Sequence, residues 1–174
     1  MFENGVYLIG QLLGIVAVVL GFVCFQMKSP RGILSFQIIV AFVFSAHYLL
    51  IGAYTAVALN LLAAVQCVFY YIRNRRRSKS IVLPTVFTVL TFVVGVLTWE
   101  GWYSAFIMLG LVINSISLAF PDAQKIRYSM FVKSPACLIY NIIVLSGGGM
   151  IYEGAVLVSA VIGTLKERKR EKMY

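Results

Sequence analysis

Residues 60–77 read NLLAAVQCVFYYIRNRRR, and residues 153–170 read EGAVLVSAVIGTLKERKR. Each is an apolar stretch that opens on one polar residue and closes on a basic cluster. The two stand 93 positions apart. At that offset Asn60 falls on Glu153, His47 on Tyr140, Arg73 on Lys166, Arg76 on Lys169 and Arg77 on Arg170. A shift that aligns polar openings and basic ends together predicts an internal repeat.

The composition sets the solvent. Hydrophobic residues make up 61% of the chain and charged residues 12%, with a mean hydropathy of +0.92. Globular chains carry about 25% charged residues. Apolar runs of about 18–22 residues match a hydrocarbon core of ~30 Å. The chain therefore reads as an all-α polytopic membrane protein. Seven transmembrane helices are expected, over residues 5–27, 33–52, 56–73, 81–98, 103–120, 128–146 and 150–165. WEGW (99–102) and GGG (147–149) read as turns.

The formal charge is +9, from 15 basic and 6 acidic residues. With seven spans, every basic residue falls on one side: Lys28 and Arg31, the cluster from Arg73 to Lys79, Lys125, Arg127 and Lys133, and the cluster from Lys166 to Lys172. Such asymmetry marks the cytoplasmic face, which puts the N-terminus outside and the C-terminus in the cytoplasm. Lys133, a turn or more into span six, is expected to snorkel to that face. Trp99 and Trp102 fall at the opposite interface, where an aromatic belt belongs. The basic excess is thus explained by topology. A nucleic-acid partner is not expected, because the chain offers no soluble basic face.

Spans one to three map on spans five to seven, with span four left over. Because that linker crosses the membrane, the second triplet enters in the same orientation as the first. The expected layout is two parallel three-helix bundles joined by a linker helix, a 3-1-3 order, with bundles over residues 1–77 and 102–174 and the linker over 78–101. Parallel repeats are related by an axis along the membrane normal.

Polar residues inside the hydrocarbon are costly and mark function by default. At ~1.5 Å of rise per residue, Asn60 and Gln11 lie about 9 Å in from the outer boundary, His47 about 7–8 Å and Glu153 about 6 Å. Tyr140 and Asn141 sit at similar depth, and Gln66 and Asn114 nearer mid-membrane. Short turns join spans two and three and spans six and seven. His47 is therefore expected beside Asn60, and Asn141 beside Glu153. Asn60, Glu153, His47, Tyr140, Asn141, Gln11 and Asn114 form the candidate substrate site. Each has a plainer reading: Asn, Gln and His in membrane helices also serve as interhelical hydrogen-bonders, and Glu153 also reads as a hydrated residue just below the outer headgroups. Gly10 and Gly14 form a GxxxG pair that allows close helix approach.

Cys24, Cys67 and Cys137 lie in apolar runs without CxxC spacing, which gives neither a disulfide framework nor a metal site. No cofactor is expected. There is one histidine, and the chain lacks GxSxG and phosphate-loop motifs, so an enzyme is not expected.

The words SAHYLLIGAYTAVALN (45–60) and SPACLIYNIIV (134–144), set in the 3-1-3 order, resemble the triplets of the MtN3/SWEET and PQ-loop transporters. FQMKS (25–29) and AHYLLIGAYTAVALNLL (46–62) look most like the bacterial inner-membrane YgjV family. The Pro-Gln pair of PQ-loop proteins is not intact, since Phe25 precedes Gln26 and Pro121 is followed by Asp122. The resemblance implies a bacterial inner-membrane location and a small-solute transporter working by alternating access. Its partners would be a solute, a coupling proton and the lipid bilayer, and a homo-oligomer is compatible with it. Glu153 would favour a cationic or proton-coupled solute, with His47 as a titrating partner. The competing reading is a non-transporting scaffold, receptor or regulatory subunit.

Overall fold

The computed structural model describes residues 2–76, 81–120 and 122–171. Seven helices account for almost all of them: α1 (Phe2–Gln26), α2 (Pro30–Leu50), α3 (Tyr54–Arg75), α4 (Val82–Leu97), α5 (Ser104–Leu118), α6 (Ala123–Ile143) and α7 (Gly147–Glu171). Four of them, α1, α2, α3 and α7, are long and apolar enough to cross a membrane. α4 and α5 are apolar but have 16 and 15 residues. α6 has 21 residues but carries Lys125, Arg127 and Lys133. The outward faces stay apolar: Leu8, Leu12 and Val19 on α1, Phe42 on α2 and Val65 on α3 are exposed. Lipid tolerates such a surface, provided the backbone is satisfied within helices.

Local chemistry sets the ends. Ser29 Oγ accepts from Gly32 N, and Pro30 takes the first helical position of α2, where no N–H is needed. Asp122 Oδ1 accepts from Gln124 N and starts α6. This corrects the expected start at residue 128, because the carboxylate caps the helix and draws Lys125 and Arg127 into its first turns. The GGG stretch is the opening turn of α7, not a loop. The turn lies just before it, where Leu145 takes φ 53°. α7 also runs on to Glu171, past the expected end at 165, carrying its basic residues on the last turns.

The 93-residue offset reappears in detail. α2 and α6 start at Pro30 and Ala123 and end at Leu50 and Ile143, while α3 and α7 start at Tyr54 and Gly147. Gly52 has φ 78° where Leu145 has 53°. The bond from Ala53 N to the Tyr48 carbonyl is matched by one from Ser146 N to the Asn141 carbonyl, both 2.9 Å. Interfaces follow the same rule. Gln66 Nε2 donates to Ser115 Oγ between α3 and α5, and Ser159 Oγ donates to the Phe22 carbonyl between α7 and α1. Arg73 donates to the Ala119 carbonyl, and Lys166 to Gln26 Oε1. Arg77, Lys79, Pro121 and Lys172 lie outside the described residues.

The helices pack as a ring. α1 lies against α2 and α7, α6 against α5 and α7, and α3 against α2, with lighter contacts to α4 and α5. α4 packs mainly on α5, and α2 touches α6 across the middle. The α1–α7 seam is tight. A Cβ on Gly14 would stand 2.6 Å from Gly148 Cα, so both positions need glycine. At one end Arg127, 2% exposed, donates from Nε to the Phe25 carbonyl and from Nη2 to the Met27 carbonyl. It thereby caps the C-terminus of α1, where a cation also suits the helix dipole.

Candidate functional site

α2 and α6 meet where Tyr48 Oη donates to Asn141 Oδ1 at 2.7 Å. Toward mid-bundle from that contact lies a cavity of about 30 Å³, room for roughly one or two waters. α2 contributes Gln37 and Tyr48, α3 Asn60, α5 Asn114, α6 Lys133 and Cys137, and α7 Tyr152 and Glu153. Val40, Ala41, Ala63 and Leu111 make the apolar part of the wall.

The centre is charged. Lys133 Nζ and Glu153 Oε1 are 3.6 Å apart, with side chains 6% and 5% exposed. Lys133 is ten residues from either end of α6, about 15 Å in. The expectation that it snorkels is therefore corrected. Its ammonium turns inward to the carboxylate and over the ring of Tyr152, 5.6 Å from the centroid. The tally that placed all basic residues on one face loses this one for the same reason. Glu153 is six residues from the start of α7, about 9 Å deep, and is buried rather than at the outer surface.

The pair is incompletely satisfied. Its separation exceeds the roughly 2.7–2.9 Å of a charge-assisted hydrogen bond. Glu153 Oε2, Asn114 Oδ1 and Gln37 Nε2 are buried with no hydrogen-bond partner among the described residues. Buried polar atoms normally have one, and here three border one cavity.

The remaining expected residues divide. Asn60, Asn114 and Glu153 line the cavity. Asn60 Nδ2, however, donates to Ala56 O on its own helix. His47 is not beside it: Nδ1 donates to the Gly10 carbonyl and Nε2 lies 2.7 Å from Ser146 Oγ. The small Gly14 leaves room for the imidazole, so His47 turns toward α1 and ties α1, α2 and the α6–α7 turn together. Asn141 likewise bonds to Tyr48 and not to Glu153. Tyr140 is fully buried, its ring against Tyr48 and Tyr103. Gln11 caps α7 by accepting from Gly148 N and donates to the Leu145 carbonyl. At the equivalent end of α3, the Glu100 carboxylate accepts from Tyr54 N and Thr55 N.

Among the lining residues that sequence reasoning missed, Gln37, Tyr48, Lys133 and Tyr152 bring amide, hydroxyl and ammonium groups to the cavity. The signal was present for Lys133: a lysine and a glutamate, each set among uncharged residues well inside its helix, are expected to find each other. Among the described residues no group of three or more His, Cys, Asp or Glu could hold a metal.

Known proteins locate the chain further. The model of Imp-YgjV, described as bacterial inner membrane protein, matches residues 8–171. The inner membrane protein YgjV of Escherichia coli (strain K12) is 22% identical over 166 residues, which covers 95% of this chain and 88% of that protein. No solved structure matches. With an all-helical ring, lipid-compatible outer faces and a family match along nearly its whole length, the chain belongs to the Imp-YgjV family of bacterial inner membrane proteins.

Proposed function

We propose that this protein is a small-solute transporter in which two parallel three-helix repeats, residues 1–77 and 102–174, rock about a central site. α4 is the linker, the N-terminus lies outside and the C-terminus in the cytoplasm. The paired seam bonds support the repeat: α3–α5 and α7–α1 carry hydrogen bonds at positions 93 apart. The cytoplasmic assignment rests on the basic clusters that end α3 and α7. α5 would rise only about 22 Å, and local bilayer thinning accommodates a short span.

The observation that carries the transport reading is the charged cavity where the proposed repeats meet. A scaffold has no need to bury Lys133 and Glu153, because apolar residues of similar size pack as stably or better. Sites of secondary transporters lie near the bilayer midplane at the repeat interface. With about 30 Å³ of space, the cavity is too small for a solute, and admitting one requires the repeats to part.

Flux into proteoliposomes tests this. Purified protein should admit at least one class of small polar solute faster than protein-free vesicles. Equal entry for every class, with correctly inserted protein, favours the scaffold.

A further inference from the structure

We infer that the site takes a small dipolar ion, a solute carrying one ammonium and one carboxylate as amino acids do. The inference rests on the transport reading and names its substrate class. Its basis is the matched pair of opposite charges, Lys133 and Glu153, that faces the cavity. Glu153 alone suggested a cationic solute. Lys133 cancels that preference, because a cation bound to Glu153 leaves a buried ammonium without its counter-ion. An anion bound to Lys133 strands the carboxylate in the same way. A neutral polyol gives neither charge a stronger partner.

A dipolar ion satisfies both. Its ammonium replaces Lys133 at the carboxylate of Glu153, and its carboxylate replaces Glu153 at the ammonium of Lys133. Charge in the site is balanced before and after exchange. The resident pair is a weak competitor: it is 3.6 Å apart and leaves Glu153 Oε2 without a partner. Asn114 Oδ1 is a free acceptor for a second ammonium hydrogen, and Gln37 Nε2 a free donor for a second carboxylate oxygen. Val40, Ala41 and Leu111 on the wall suit a solute with little or no side chain.

The test is uptake into phosphatidylethanolamine–phosphatidylglycerol proteoliposomes of labelled glycine and alanine, beside tetramethylammonium, methanesulfonate and xylitol. Native protein is expected to raise glycine or alanine entry at least about tenfold over empty vesicles, with the other three near background, since the cation and the anion each leave a buried charge unmatched and the polyol gives neither charge a stronger partner. The double variant K133Q/E153Q keeps the site neutral and should fold. Monodisperse, inserted variant protein with dipolar-ion entry at background supports the assignment. Undiminished entry in that variant overturns it. Faster entry of the cation, the anion or the polyol than of glycine and alanine overturns the substrate class and leaves transport standing. No entry of any solute overturns both.

Discussion

Tyr48 and Asn141 are joined by a 2.7 Å hydrogen bond and are separated by 93 positions. That separation is also the offset between the helices that carry them. Under the two-repeat reading they are one position seen twice, and a residue that touches its own counterpart sits on the axis. The bond therefore holds the proposed repeats together at their centre. Tyr48→Phe should cost about 0.6–2 kcal/mol, as an interhelical membrane bond is lost and Asn141 Oδ1 is left buried. Unfolding in detergent measures it. A double-mutant cycle with Asn141→Ala should return a coupling of about 0.6 kcal/mol or more.

The Lys133–Glu153 pair predicts a non-additive series. Lys133→Gln and Glu153→Gln each leave one buried charge alone and should each cost about 3–5 kcal/mol. The double change should be close to neutral, since both charges go together. Thermal melts of the four proteins decide it. Single variants as stable as the native protein would mean that water reaches the pair.

Gly14 and Gly154 should respond oppositely to the same change. A Cβ on Gly14 meets the α7 backbone at Gly148, whereas on Gly154 it meets nothing within 4 Å. Gly14→Ala should destabilise by about 1–3 kcal/mol through overpacking. Gly154→Ala should be neutral or gain up to about 1 kcal/mol of helix propensity. Equal yields and melting points would show that α1 and α7 part easily.

Arg127→Met removes the cap on α1 while keeping much of the side-chain volume. Two backbone carbonyls, Phe25 and Met27, lose a charged donor, at about 1.5–3 kcal/mol for each such bond. Lower melting temperature with normal membrane insertion is expected. Restoration by Arg127→Lys should be incomplete, because an ammonium lacks the planar fork.

Arg75 and Trp99 should lie on opposite faces of the membrane. Single-cysteine variants at the two positions, labelled from outside intact cells, should react at 99 and stay protected at 75. Labelling of both from one side ends the seven-span topology.

Much of this was legible because it is local. Hydrophobic runs, caps and charge clusters depend on neighbours in the chain, so the seven helices and the 93-residue offset could be read from the letters. The charged pair was harder, because its members lie on different helices. A span six begun at residue 128 puts Lys133 about one turn from the cytoplasm. Asp122 is an N-cap signal in plain view; starting the helix there puts Lys133 at mid-depth, where a partner is compulsory. The rotation of each helix was not legible. His47 and Asn60 do lie on adjacent antiparallel helices, as expected, but His47 faces the gap left by Gly14 on α1, and only packing chooses that face.

Under the transport reading, the pairing of Lys133 with Glu153 also bears on what drives the protein. A membrane potential of 100 mV does about 2.3 kcal/mol of work on each elementary charge carried across it. A carrier whose site holds both signs presents no net charge to that field when empty, and none when it holds a dipolar ion. Voltage then favours neither the inward- nor the outward-facing form and adds nothing to the journey of the cargo. Unless another ion is coupled to the cycle, such a carrier cannot pump. It lets a concentration difference run down in whichever direction it points, and import or export is decided by what metabolism does with the solute on either side.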